Sequence, residues 1–87
     1  MNQKFKVENR HAFPVTLWLE PWGADYTMLP GDLFEVLAEG VAEDFYLHLG
    51  FKEKYLLLWV EGKFSDLSIT QDGNPLECGH NRQNISK

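Results

Sequence analysis

Glu20-Pro21-Trp22-Gly23-Ala24-Asp25-Tyr26, followed closely by Leu29-Pro30-Gly31-Asp32, decides the fold. Pro21 and Gly23 bracket Trp22, and Pro30-Gly31 marks a second reversal, so strand gives way to turn, short strand, turn and strand. Upstream, Phe5 and Val7 alternate with Lys4, Lys6 and Glu8, the period of a strand with one wet face. Asn9 to Pro14 reads as a turn. Val15, Leu17 and Leu19 then take one phase of the next strand, and Thr16, Trp18 and Glu20 the other. Downstream, Phe34, Val36 and Ala38 alternate with Glu35, Leu37 and Glu39, and Gly40 ends the run. Phe45, Leu47 and Leu49 alternate with Tyr46 and His48. Tyr55 to Val60 is apolar throughout, the pattern of a central strand covered on both faces. Leu67 and Ile69 alternate with Ser68 and Thr70, and Asp72-Gly73-Asn74-Pro75 is a strong turn signal.

No window sustains helical spacing, since Gly40 interrupts the best one, from Leu33, after two turns. The chain is therefore expected to be all-β: one antiparallel β-sandwich of about seven short strands, with a small barrel as the alternative. One domain is expected over 1–78, followed by a polar, fraying tail over 79–87. The core is expected to rest on Leu17, Phe45, Leu47 and Leu58.

The 87 residues are 44% hydrophobic and 14% aromatic, a folded composition with only a small core to bury. Cys78 is the sole cysteine, so no disulfide within the chain staples it. A net charge of −5 disfavours nucleic acid, because such a surface repels phosphates. No apolar run reaches membrane-span length and no signal-peptide core precedes the first strand, so no membrane contact and a cytoplasmic location are expected. Asn84-Ile85-Ser86 matches a glycosylation sequon, a triplet that also arises by chance.

Catalytic chemistry finds no foothold. His11, His48, Cys78 and His80 are the only Cys and His ligands. The spacing in Cys78-Gly79-His80 is too tight for a blue-copper loop, and neither Met1 nor Met28 lies near it in sequence. The acidic residues sit mostly in turns or on wet strand phases, Ser65, Ser68 and Ser86 lack an elbow context, and no glycine-rich phosphate loop occurs. The expectation is no enzyme, no cofactor and no metal.

The aromatic residues point elsewhere. Trp18, Tyr46 and Trp59 fall on phases opposite the main core and Leu37 joins them, so neighbouring strands would create a second apolar face. Either the fold covers that face as ordinary core, or it binds a protein partner or a second copy of the chain. Trp22 at its turn either plugs the sandwich end or stands as a platform. Candidate binding residues are thus Trp18, Trp22, Tyr26 and Tyr46, in a non-enzymatic interaction or structural domain. The alternative is a small-ligand module stacking a sugar or peptide on Trp18, Trp22 and Tyr26, with Glu20 and Asp25 to orient it.

The segment Val7-Glu8-Asn9-Arg10, Val15 to Gly23, Tyr26 and Leu29-Pro30-Gly31-Asp32 resembles a pattern in small uncharacterised bacterial β-sandwich proteins. It is more distantly similar to the β domain of the von Hippel–Lindau tumour suppressor. There an Asn-Arg turn, a strand Trp, a Tyr and a Pro-Gly turn recur in this order, and the Trp and Tyr help form a hydroxyproline-peptide pocket. The resemblance implies an immunoglobulin-like or von Hippel–Lindau-β-like sandwich, and matches Trp18 and Tyr26 to that pair. That family's Ser- and His-bearing pocket strand has no counterpart between Phe34 and Ala38, so the likeness extends to fold and not to peptide recognition.

Overall fold

Period-two alternation becomes strand at every place where it was read. The computed structural model describes residues 1–82 and contains β1 (Gln3–Glu8), β2 (Val15–Glu20), β3 (Ala24–Met28), β4 (Leu33–Glu39), β5 (Tyr46–Lys52), β6 (Tyr55–Glu61), β7 (Asp66–Gln71) and β8 (Asn74–Pro75). The sequon at Asn84 lies outside the described residues. Two four-stranded sheets pack face to face, the first ordered β1-β4-β7-β8 and the second β3-β2-β6-β5. The architecture is a sandwich and not a closed barrel.

Each sheet turns one phase of its strands inward. Phe5, Val7, Phe34, Val36, Ala38, Leu67 and Ile69 come into register on the first sheet. Val15, Leu17, Leu19, Met28, Tyr26, Leu56 and Leu58 do so on the second. Leu17, Phe34, Val36 and Leu58 are fully buried where the two sets meet. Of the expected core, Leu17 and Leu58 lie at its centre, while Phe45 and Leu47 pack against it only partly buried.

The deciding turns form as read. Leu29 to Asp32 closes with the Asp32 amide donating to the Leu29 carbonyl at 2.9 Å, and Gly31 takes φ 87°, the left-handed geometry a type II turn requires at its third position. Asn9 locks this turn to the end of β1. Its amide nitrogen donates to the carbonyls of Phe13 and Met28, both at 2.9 Å, and its Oδ1 accepts from the His11 amide at 3.0 Å. At 3% exposed, Asn9 is a buried polar residue with its hydrogen bonds made, not a solvated turn residue.

Three expectations are corrected. The sandwich is not wholly antiparallel, since β2 and β6 run parallel. The chain leaves the second sheet after β3 and re-enters it at β5, so β6 meets β2 in the same direction. β6 is indeed a central strand, but only its inner face is covered: Tyr55, Leu57 and Trp59 stand 40–45% exposed. Of the tail expected over 79–87, residues 79–82 are docked and not frayed, while 83–87 lie outside the described residues. The Gly79 amide donates to the Asp25 carbonyl at 2.7 Å and the Thr27 amide to the His80 carbonyl at 2.8 Å, docking this segment along the free edge of β3.

Candidate functional site

Register places the outward side chains of the second sheet in rows. Trp18 lies between Asp25 on β3 and Leu57 on β6, and Leu57 faces Gly50 on β5. One row along, Trp59 lies between Glu20 and His48, and beyond it Tyr46 faces Glu61. The other flank is Thr16, Tyr55 and Lys52. The result is an apolar centre of Trp18, Leu57, Trp59 and Tyr55, rimmed by Glu20, Glu61, His48 and Lys52. That division into apolar centre and polar rim is the anatomy of a protein-binding surface.

Gly50 gives this face relief. Lacking a side chain opposite Leu57, it leaves a shallow cleft of about 260 Å³ walled by His48, Leu57 and Trp59. The ring of Tyr46 is 56% exposed at the rim. The Glu61 carboxylate hydrogen-bonded to its hydroxyl raises the phenol pKa, so Tyr46 remains a neutral donor. His48 Nδ1 lies 3.9 Å from the same carboxylate.

The four candidate residues do not form one patch, and Leu37, expected beside Trp18 and Tyr46, lies on β4 in the other sheet. Trp18, half-buried, and Tyr46 lie on the outer face. Tyr26 faces inward opposite Leu17 and is only 8% exposed. Trp18 and Tyr26 therefore lie on opposite faces of the second sheet, and no single pocket of the von Hippel–Lindau kind can use both. Trp22 joins Tyr26 instead. It is 52% exposed, its ring edge-on to Phe64 at 5.8 Å, at a cleft of about 400 Å³ lined by Leu19, Ala24, Tyr26, Phe64 and Leu67. Burial, together with nearby Cys78 and Asp25, raises the Tyr26 phenol pKa and keeps it protonated.

Trp59 joins Trp18 and Tyr46 on this face as its phase predicts, whereas Leu57 and Tyr55 are not foreseen there because the unbroken apolar run of β6 reads as doubly covered. Their alternation with the buried Leu56, Leu58 and Val60 does not show in a run where every residue is apolar.

The docked segment adds charge beside this face. Arg82 grips Asp25 through two nitrogens, Nε to Oδ2 at 3.0 Å and Nη2 to Oδ1. This hydrogen bonding, outweighing desolvation, lowers the Asp25 pKa below 3.8. The Cys78 sulfur lies 3.6 Å from Asp25, whereas the His80 ring packs edge-on to Phe34 at 5.7 Å. His11 stacks on Phe13 elsewhere, at 4.6 Å. Among the described residues no three His, Cys, Asp or Glu side chains converge as a metal site. No helix among them is long and apolar enough to cross a membrane.

A carboxyl whose folded pKa is depressed contributes stability that is full above its unfolded value and lost as pH falls through the folded one. Asp25→Asn is therefore expected to cost about 1.5–3 kcal/mol at neutral pH and to flatten the loss of stability below 3.8. Melting temperatures of parent and variant across the acid range check this. Parallel curves would mean that the Arg82 pairing does not form in solution.

Compared with protein-family models, curated proteins and solved structures, the chain matches none of them.

Proposed function

We propose that this chain is a non-enzymatic interaction domain that docks a protein partner on the outer face of its second sheet. The observation carrying the proposal is that Tyr55, Leu57 and Trp59 leave 40–45% of their surface open on a central strand, where a self-contained sandwich would place polar residues. Aromatic anchors around a shallow notch, with charges confined to the rim, suit a protein contact. The exposed free thiol of Cys78 is in keeping with a reducing compartment such as the cytoplasm.

Trp59→Ser and Trp18→Ala are expected to separate docking from folding. Trp59→Ser should cost less than about 1 kcal/mol, the ordinary range for an exposed site. Proteins retained by the immobilised parent are identified, purified and titrated against parent and variant. A Kd weakened about tenfold or more by Trp59→Ser, with melting unchanged, is expected. A partner that binds both equally, or no retained partner at all, would remove the reading. Trp18→Ala is the harder case, because its half-buried ring also packs on the sheet. Unfolding of that variant would assign Trp18 to the scaffold.

One observation favours a second reading. Trp22 stands half-exposed at a cleft of about 400 Å³ between the sheets, a size and placement suited to a sugar or peptide side chain. Tryptophan fluorescence titrated with neutral oligosaccharides and short peptides, in parent and Trp22→Ala, tests it. Saturable quenching confined to the parent is the supporting result.

A further inference from the structure

A two-sheet sandwich has four strand edges, and three of these are blunted. The edge of β3 is occupied by residues 79–82 through two backbone hydrogen bonds. β8 is two residues long and includes Pro75, which cannot donate to a ladder. β1 carries Lys4, Lys6 and Glu8 within six residues, the charged edge that discourages pairing. β5 carries one such device, the charge of Lys52, and only at its last position. From Tyr46 through Phe51 its sequence is Tyr-Leu-His-Leu-Gly-Phe, with no Asp, Glu, Lys, Arg or Pro. Among the described residues it pairs only with β6. Its inward phase also overhangs the core: Leu49 is 51% and Phe51 79% exposed, although both pair with buried residues of β6. An open ladder and an uncovered apolar row thus coincide on one edge.

We propose that the free edge of β5 pairs antiparallel with β5 of a second copy of this chain, joining two four-stranded sheets into one of eight strands. The strand is complementary to itself about Leu49. A two-fold axis there sets Leu49 against Leu49, Leu47 against Phe51, His48 against Gly50, and Tyr46 against Lys52. The first two pairings cover the exposed apolar row on the inner side. The third lays an imidazole over a glycine, filling the notch beside Leu57, and the fourth places an ammonium beside an aromatic ring. No like charges meet, although each chain carries a net −5. Since that charge repels at long range, added salt strengthens the dimer. A foreign strand could use the same ladder, but only a second copy brings this matched row with it. The inference rests on the edge and on the inward row Leu47, Leu49 and Phe51, and shares with the reading of the outer face only the notch beside Leu57.

Sedimentation equilibrium over a concentration series tests the pairing in the full chain. The parent is expected to dimerise. Leu49→Lys, which places two ammonium groups at the axis, and Phe51→Glu, at the most exposed ring, should each remain folded by circular dichroism. Each substitution counts twice in a two-fold interface, so the dimer dissociation constant should rise about 100-fold or more. Mixing Leu49→Lys with Leu49→Glu should restore a dimer. A parent that stays monomeric at high concentration, or substituted chains that dimerise like the parent, would overturn the proposal. Should Trp59→Ser abolish the dimer while Leu49→Lys preserves it, the edge is excluded and the outer face is the contact.

Discussion

Leu58→Ala is expected to cost about 2–5 kcal/mol, against under about 1 kcal/mol for Trp59→Ser at the very next residue. Leu58 is fully buried, with Leu19 beside it on β2 and Leu49 on β5, so truncation leaves a void that neighbours on two strands cannot all close. Trp59, one position on, points to the outer face. The larger loss is a sizeable share of the roughly 4–13 kcal/mol that a domain of this length can hold. Leu17→Ala should match it. Phe45→Ala and Leu47→Ala should cost less than full burial would dictate, because both residues sit at the margin of the core. Urea unfolding of the set gives the order directly. Equal losses at Leu58 and Trp59 would mean that both faces of β6 are covered in solution, and the outer face would cease to be a candidate surface.

How far the chain could be read in advance follows from the range of each signal. Phase is local, so the buried rows Val15-Leu17-Leu19 and Phe34-Val36-Ala38 were legible from alternation alone, as were the Pro21–Gly23 and Pro30-Gly31 turns. Which sheet a strand joins is not local. The parallel neighbouring of β2 and β6 spans about forty residues, and it decides that Trp18 and Leu57 share a face. Leu49 shows the limit of phase itself: it points inward, as read, yet stays exposed because an edge strand overhangs the opposite sheet. Asn9 passed as an ordinary turn residue, since its role depends on the carbonyl of Met28, nineteen residues on. Arg82 closes on Asp25 across fifty-seven residues, so the polar composition after Cys78 reads as a tail where the fold has a strap. Of the candidate site, the idea of an aromatic second face was legible. Its membership was legible in part: Trp18, Tyr46 and Trp59 lie on it, but Tyr26 belongs to the opposite face and β6 hides the phase of Tyr55 and Leu57.

Gly62→Ala is expected to destabilise the domain by about 2–4 kcal/mol, well beyond the roughly 1 kcal/mol of Gly23→Ala. Both glycines hold a left-handed backbone, φ 89° at Gly62 and 67° at Gly23, so the conformational penalty is shared. Their surroundings differ. A Cβ at Gly23 would meet nothing within 4 Å, whereas one at Gly62 would run into the Asp44 carbonyl and lie 2.6 Å from the Phe45 Cα. These are backbone atoms, and no rotamer change relieves them. The segment they belong to is held in place, with the Ala42 amide donating to the Lys63 carbonyl at 2.9 Å and the Lys63 amide to Asp44 Oδ1 at 3.1 Å. Relief must therefore come from moving the chain that leads into β5. Phe45 would move with it, and Phe45 packs edge-on to Phe64 at 5.9 Å, the same ring that supports Trp22. A shift in tryptophan emission should thus accompany the loss of stability in Gly62→Ala and be absent from Trp22→Phe carrying the same change. If Gly62→Ala unfolds no earlier in urea than Gly23→Ala, the close approach of Gly62 to Asp44 is not kept in solution. The aromatic chain from Phe45 to Trp22 would then have no rigid anchor at the entry to β5.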